Sequence, residues 1–153
     1  MSRYSPGYTY AIGPGGISPA IKALLIANTA MFIAGALAPQ VQVFLVRTLG
    51  LNPSAVITGL AIWQPFTYMF LHADIFHILF NMLALWMFGV ELERMWGTPF
   101  FVRYYAITGV GAGLFTVALS LLPTSWAAHS YYVSTIGASG AIYALLAVGV
   151  VLA

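Results

Sequence analysis

Arg103 is the last charged side chain in this sequence, and residues 104–153 carry none. A surface that faces water needs charge, and a soluble domain gives about 25% of its residues to it. Here the share is 5%, against 61% hydrophobic residues. Eight charges (Arg3, Lys22, Arg47, Asp74, Glu91, Glu93, Arg94 and Arg103) cannot solvate a globule of 153 residues. The solvent for most of the chain is therefore lipid. The same scarcity excludes other classes. A net charge of +2 is too small and too scattered to make a nucleic-acid footprint. With no cysteine, there is no disulfide framework, thiolate nucleophile or cysteine metal site.

Turn formers cut the apolar sequence into spans. Residues 1–19 are rich in Gly, Pro, Ser and Tyr and read as a flexible arm; no apolar run follows Arg3 directly, so they are not a signal peptide. Residues 20–38 are apolar apart from Lys22, Asn28 and Thr29, and Pro19 and Pro39 bracket them. That is the roughly 20 residues a membrane helix needs. Residues 40–65, with Arg47, Asn52-Pro53 and Gln64-Pro65, are expected to form a long interfacial loop broken by turn formers. A second span is expected over 75–90, closed by Glu91, Glu93 and Arg94. A third is expected over 99–122, with Pro99 in its first turn, and residues 123–136 form a polar-aromatic loop.

A fourth span begins at Gly137 and is still running at Ala153. From Ser139 onward a helix rises only about 22 Å of a hydrocarbon core of roughly 30 Å. The expectation is a chain that continues past residue 153. The fold class expected is an all-α, polytopic transmembrane bundle, with a cytoplasmic arm over 1–19 and a transmembrane domain over 20–153 that is incomplete at its C-terminus.

Loop charge sets the orientation. With the N-terminus in the cytoplasm, Arg3, Lys22, Arg94 and Arg103 lie inside and Arg47 alone lies outside. Spans two and four then both start on the outer side. His77 and Asn81 at the start of one, and Ser139 at the start of the other, fall at similar depth.

His77 and Asn81 are four residues apart and share one helix face. Taken alone, polar residues in a span more often make interhelical hydrogen bonds than do chemistry. Gly137-Ala138-Ser139-Gly140 is ambiguous in the same way. Glycines flanking a serine leave room for a substrate backbone, but Gly137…Ala141 and Gly140…Ala144 also fit close helix packing. Ser139 does not sit in the G-x-S-x-G turn of soluble hydrolases. Together the two signals have a chemical sense. Acyl transfer needs a nucleophile and donors aimed at the developing oxyanion, and Ser139 could be the first while His77, Asn81 and the Ser139 backbone N–H supply the second.

With His77-x-x-x-Asn81 in span two, Gly89-x-x-x-Glu93-x-x-x-Gly97 at that span's far end and Gly137-x-Ser139-Gly140 opening span four, the sequence resembles the rhomboid intramembrane serine proteases. The resemblance runs from about Trp63 to the end, and His72 and Tyr143 fit it too. It implies a six-helix core, of which about four spans lie in this chain, with Ser139 as nucleophile and His77 and Asn81 in the oxyanion hole. Tyr143, Gly137, Gly140 and His72 would support the site, Tyr143 by packing against a histidine. Residues 40–65 would be a membrane-embedded loop, and Glu93 a structural acid.

Two departures stand out. This chain has Trp63-Gln64 where the family usually carries Trp-Arg, and the family's general base is a histidine on a sixth span. His72 and His129 are poor substitutes, so residues 1–153 alone are expected to be inert. The function implied is cleavage of transmembrane segments of membrane proteins, with no metal and no other cofactor. The expected partners are a transmembrane protein substrate and the lipid bilayer, with no nucleic acid, in a plasma membrane of bacterial type. The alternative is an inactive rhomboid-like protein that holds client helices. A transporter fits less well, because the spans lack a row of ionisable residues.

Overall fold

Proline opens five of the helices in this chain, at a first-turn position where its missing N–H costs no hydrogen bond and its fixed φ suits the helix. A computed structural model describes residues 15–152. Most of the arm expected over 1–19, Arg3 included, lies outside the described residues, and the charge argument for orientation rests partly on it. The elements are α1 (Pro19–Ala36), α2 (Pro39–Leu49), α3 (Pro53–Thr58), α4 (Gln64–Thr67), a 3-10 turn at Tyr68–Phe70, α5 (Ile75–Trp96), α6 (Thr98–Leu119), α7 (Ser125–Ser130) and α8 (Ser139–Leu152). The architecture is an all-α bundle, in which α1, α5 and α6 are long and apolar enough to cross a membrane. The fourth apolar helix, α8, is shorter, with 14 residues.

Three boundaries differ from the sequence expectation. The region 40–65 is mostly helical, because Pro39 and Pro53 start helices there and Asn52 caps α3 by accepting from the Ala55 N–H at 3.1 Å. A short helix, α7, lies within 123–136, capped by Thr124 accepting from the Ala127 N–H at 3.1 Å. The second span runs on to Trp96 instead of stopping at Val90. Charge at 91–94 does not end that helix, because Glu91 and Arg94 pair at 3.3 Å on its exposed side and Glu93 is buried with partners of its own.

Those partners make Glu93 a junction. Its carboxylate accepts from the Ser18 hydroxyl, from the Ala20 and Ile21 backbone N–H groups at 3.0 and 3.2 Å, and from the Thr98 hydroxyl at 2.7 Å. A negative charge at the first turn of α1 also meets the positive end of that helix. The last turn of α5 thus holds the starts of α1 and α6 together. Gly89, one turn earlier, lets α1 close in: a Cβ there would stand 2.4 Å from Ile21 Cδ1.

The core gathers Ile21, Leu85, Val90, Phe101 and Leu145 from α1, α5, α6 and α8, and Leu51 and Met69 from the connecting region. Helix α8 packs on both α5 and α6, and α1 packs on α2 and α5. Large apolar side chains such as Ile26, Ile33, Ile107, Leu114 and Phe115 point outward, as expected of a surface that faces lipid tails. The α2–α4 region is pinned by Gln64, which is buried. Its Oε1 accepts from the Asn52 N–H at 3.0 Å and its Nε2 lies 3.4 Å from the Arg47 and Thr48 carbonyls. Trp63 adds a 2.8 Å bond from its indole N–H to the same Thr48 carbonyl.

Candidate active site

Helix α5 starts where Asp74 accepts the His77 backbone N–H at 2.8 Å. That cap fixes the first turn and with it the direction of the His77 side chain. The imidazole is tied a second time: its Nδ1 accepts from the Ala73 backbone N–H at 3.3 Å. A ring nitrogen that accepts carries no proton, so the proton of the neutral ring sits on Nε2. Nε2 faces the backbone of Gly137, where a Cβ would stand only 2.6 Å from it. Gly137 also has φ +122°, a region that side chains rarely adopt. Glycine is needed there on both counts.

Asn81, one turn after His77, donates from Nδ2 to the His77 carbonyl at 2.7 Å. Its amide has a second N–H for another acceptor. Because α8 packs on α5, Asn81 and Ser139 line one pocket of about 150 Å³, together with Phe80, Ala84, Ile142, Tyr143 and Leu146. Ser139 is the first residue of α8, at the end where backbone N–H groups point out of the helix. The structure therefore brings Ser139, Asn81 and Tyr143 to one pocket, with His77 beside the glycine that leads into it. Tyr143 is mostly exposed there.

The remaining candidates sit elsewhere. Gly140 does not open the pocket; a Cβ there would meet Ala112 Cβ at 2.6 Å and the Tyr68 hydroxyl at 3.0 Å. Its role in the structure is close packing of α8 on α6. His72 lies behind His77, edge-on to it with ring centroids 4.9 Å apart. It is only 2% exposed, and neither of its ring nitrogens has a hydrogen-bond partner. Burial, and then the neighbouring His77, pull its pKa down to about 4, so His72 is neutral at physiological pH. His129 is exposed on α7.

Two contributors escape sequence reasoning. Ala73 acts through its backbone, so its identity carries no signal. Tyr68 offers its carbonyl to the Gly137 N–H at 2.9 Å and its hydroxyl to the Gly109 carbonyl at 2.8 Å, and an aromatic residue in an apolar run does not advertise either bond. A larger cavity, about 320 Å³, opens at the other end of α5 between Trp96, Phe100, Tyr104 and Val148. Its walls are aromatic and apolar, and the Tyr104 hydroxyl donates to the Ala144 carbonyl at 3.2 Å. Among the described residues, no group of three or more His, Cys, Asp or Glu is placed to hold a metal.

Residues 59–153 match the sequence model of one family, described as the Rhomboid domain. RHOMBOID-like protein 1 of Arabidopsis thaliana is 34% identical over 96 residues, which cover 63% of this chain and 22% of the plant protein. Rhomboid protease AarA of Providencia stuartii is 34% identical over 94 residues, 58% of this chain and 34% of that protein. Rhomboid protease GluP of Bacillus subtilis is 34% identical over 84 residues, 55% and 14% respectively. The chain spans about a third or less of the length of these relatives.

Proposed function

We propose, from the premise that this chain belongs to the rhomboid family, that it carries the nucleophile and oxyanion donors of an intramembrane serine endopeptidase. The observation that carries the reading is the hydrogen bond from the Ala73 N–H to His77 Nδ1. With Nδ1 accepting from Ala73, Nε2 is a donor aimed at the backbone just ahead of Ser139. The Asn81 amide lines the serine's pocket, and His77 Nε2–H is the second side-chain donor, beside Gly137.

In this reading Ser139 Oγ attacks the carbonyl carbon of a peptide bond in a transmembrane segment. The carbonyl oxygen becomes an oxyanion and takes hydrogen bonds from His77 Nε2, Asn81 Nδ2 and the Ser139 backbone N–H. Collapse expels the amine, leaving an ester on Ser139, and water hydrolyses it. A serine hydroxyl needs a base to be a nucleophile. His77 has Nδ1 engaged and His72 is buried behind it; the family resemblance implies a histidine on a sixth span as the base. A helical substrate must unwind before attack, because its carbonyls are occupied; segments with Gly or Pro are the preferred substrates.

The reading places the protein in a plasma membrane of bacterial type with its N-terminus in the cytoplasm and Ser139 near the outer face, on the charge of the loops. The test is cleavage of a transmembrane substrate by the full-length protein in membranes, with labelling of Ser139 by a fluorophosphonate. Cleavage and labelling that both vanish in Ser139→Ala support the protease. Cleavage that persists in Ser139→Ala overturns it, and binding of a client helix without cleavage replaces it with the inactive reading.

A further inference from the structure

The bond that fixes His77 does not begin at Ala73. The peptide group between His72 and Ala73 has its N–H on His77 Nδ1 at 3.3 Å, and its carbonyl accepts from Gln42 Nε2, also at 3.3 Å. One peptide plane therefore joins a side chain on α2 to the imidazole. The Gln42 carboxamide reaches that carbonyl through a gap in α1: a Cβ on Gly35 would stand 2.0 Å from Gln42 Oε1 and 3.1 Å from its amide carbon. Gln42, Gly35, His72 and Ala73 also line a common cavity of about 140 Å³ with Phe32 and Ala36.

We propose that Gln42 is a positioning residue for His77, acting through the 72–73 peptide and seated there by Gly35. The proposal rests on the reading of His77 as an oxyanion donor. Its physical basis is the direction of the peptide plane. As oriented, the plane presents N–H to Nδ1 and so leaves the proton on Nε2. A flipped plane would present the carbonyl, draw the proton to Nδ1 and turn Nε2 into an acceptor, which repels an oxyanion. Gln42 opposes the flip because its donor holds the carbonyl on the far side. Hydrogen bonds that one amide donates to a peptide and that peptide donates onward also polarise each other. The α1–α2 corner, which contributes no residue to the lining of the Ser139 pocket, thereby bears on the donor strength of the site.

The test uses the full-length protein in detergent micelles and in membranes, with three variants. Gln42→Met keeps length and removes the donor, Gln42→Glu keeps shape and replaces the donor with a carboxylate, and Gly35→Ala leaves Gln42 intact but displaces its head. The readouts are the His77 tautomer from imidazole 15N shifts, kcat and KM for a transmembrane substrate, and the thermal midpoint. The expected result is a shift of His77 toward the Nδ1–H form with kcat lower by about 3- to 10-fold and KM unchanged. Gly35→Ala should add little to Gln42→Met, since both break the same contact. Should Gln42→Met fail to fold, the isosteric Gln42→Glu and the remote Gly35→Ala carry the same readout. A His77 tautomer that stays on Nε2 in Gln42→Glu overturns the proposal, whatever happens to kcat. Because the tautomer is read without substrate, a full-length protein that cleaves nothing would overturn the protease reading and leave the Gln42 result standing on its own.

Discussion

The two ends of α5 both carry polar side chains in an apolar bundle, and they treat them in opposite ways. At the Trp96 end, the Glu93 carboxylate receives four donors from two segments, the starts of α1 and α6. At the Ile75 end, His72 is buried with both ring nitrogens unpartnered, and His77 keeps Nε2 directed at the Gly137 backbone. A buried polar group in lipid costs several kcal/mol unless it is satisfied. The Glu93 end satisfies its acid and gains rigidity; the other end holds His77 by Nδ1 alone, leaves Nε2 toward Gly137 and leaves both His72 nitrogens without a partner. The difference predicts that substitutions at the first end are read in stability and at the second in activity.

The largest effect tests that division at the serine. Ser139→Ala in the full-length protein should lower cleavage by several powers of ten, as removal of a nucleophile does, while the thermal midpoint stays within a few degrees. A variant that unfolded instead would place Ser139 with Glu93 as a structural residue.

Next comes Glu93→Ala, which strands the Ser18 and Thr98 hydroxyls and the first N–H groups of α1. We expect a loss of about 3 kcal/mol of stability, the range for a buried charged acceptor with several donors, measured by unfolding in mixed micelles. The fraction that remains folded should cleave at the normal kcat. Glu93→Gln should lose less, because it keeps an acceptor. An active-site defect in folded Glu93→Ala would break the comparison.

Asn81→Ala sharpens it. Loss of one oxyanion donor should reduce kcat on the order of 10- to 1000-fold, with the His77 carbonyl left to the helix and little change in stability. Slow labelling of Ser139 by a fluorophosphonate should persist.

Legibility in the sequence follows the same division. The bundle, its long spans and the motif residues could be read from apolar length, proline placement and the spacing of His77, Asn81 and Ser139, because each is a local pattern. Residues 40–65 were harder. Short helices started by Pro39 and Pro53 have too few turns to show a period, and the Gln64 bonds that hold them cross from one segment to another. Gly140 illustrates a different limit. Small residues on both sides of a serine fit either substrate access or helix packing, and only the position of Ala112 on α6 decides for packing. The His77 tautomer was not legible at all, since the backbone N–H of Ala73 fixes it.

The smallest effect is a pH dependence, and it belongs to the end with unsatisfied groups. His72 ordinarily would titrate near 6.5, and burial with the nearby His77 lowers it to about 4 in the fold. The folded state thus resists a proton that the unfolded chain accepts, so unfolding takes up protons between these two values. Stability from this group is fully present above about pH 6.5 and falls as the pH drops toward 4; below that both states are protonated and the slope ends. Thermal midpoints in micelles from pH 8 to pH 4 should therefore decline by a few degrees on the acid side. His77 faces His72 edge-on and the rest of the chain adds a slope of its own, so the informative quantity is the difference from His72→Gln. That variant removes the titrating ring and should flatten part of the decline. An acid slope identical in His72→Gln and the unaltered protein would mean that the buried ring is already satisfied, and the contrast between the two ends of α5 would then rest on His77 alone.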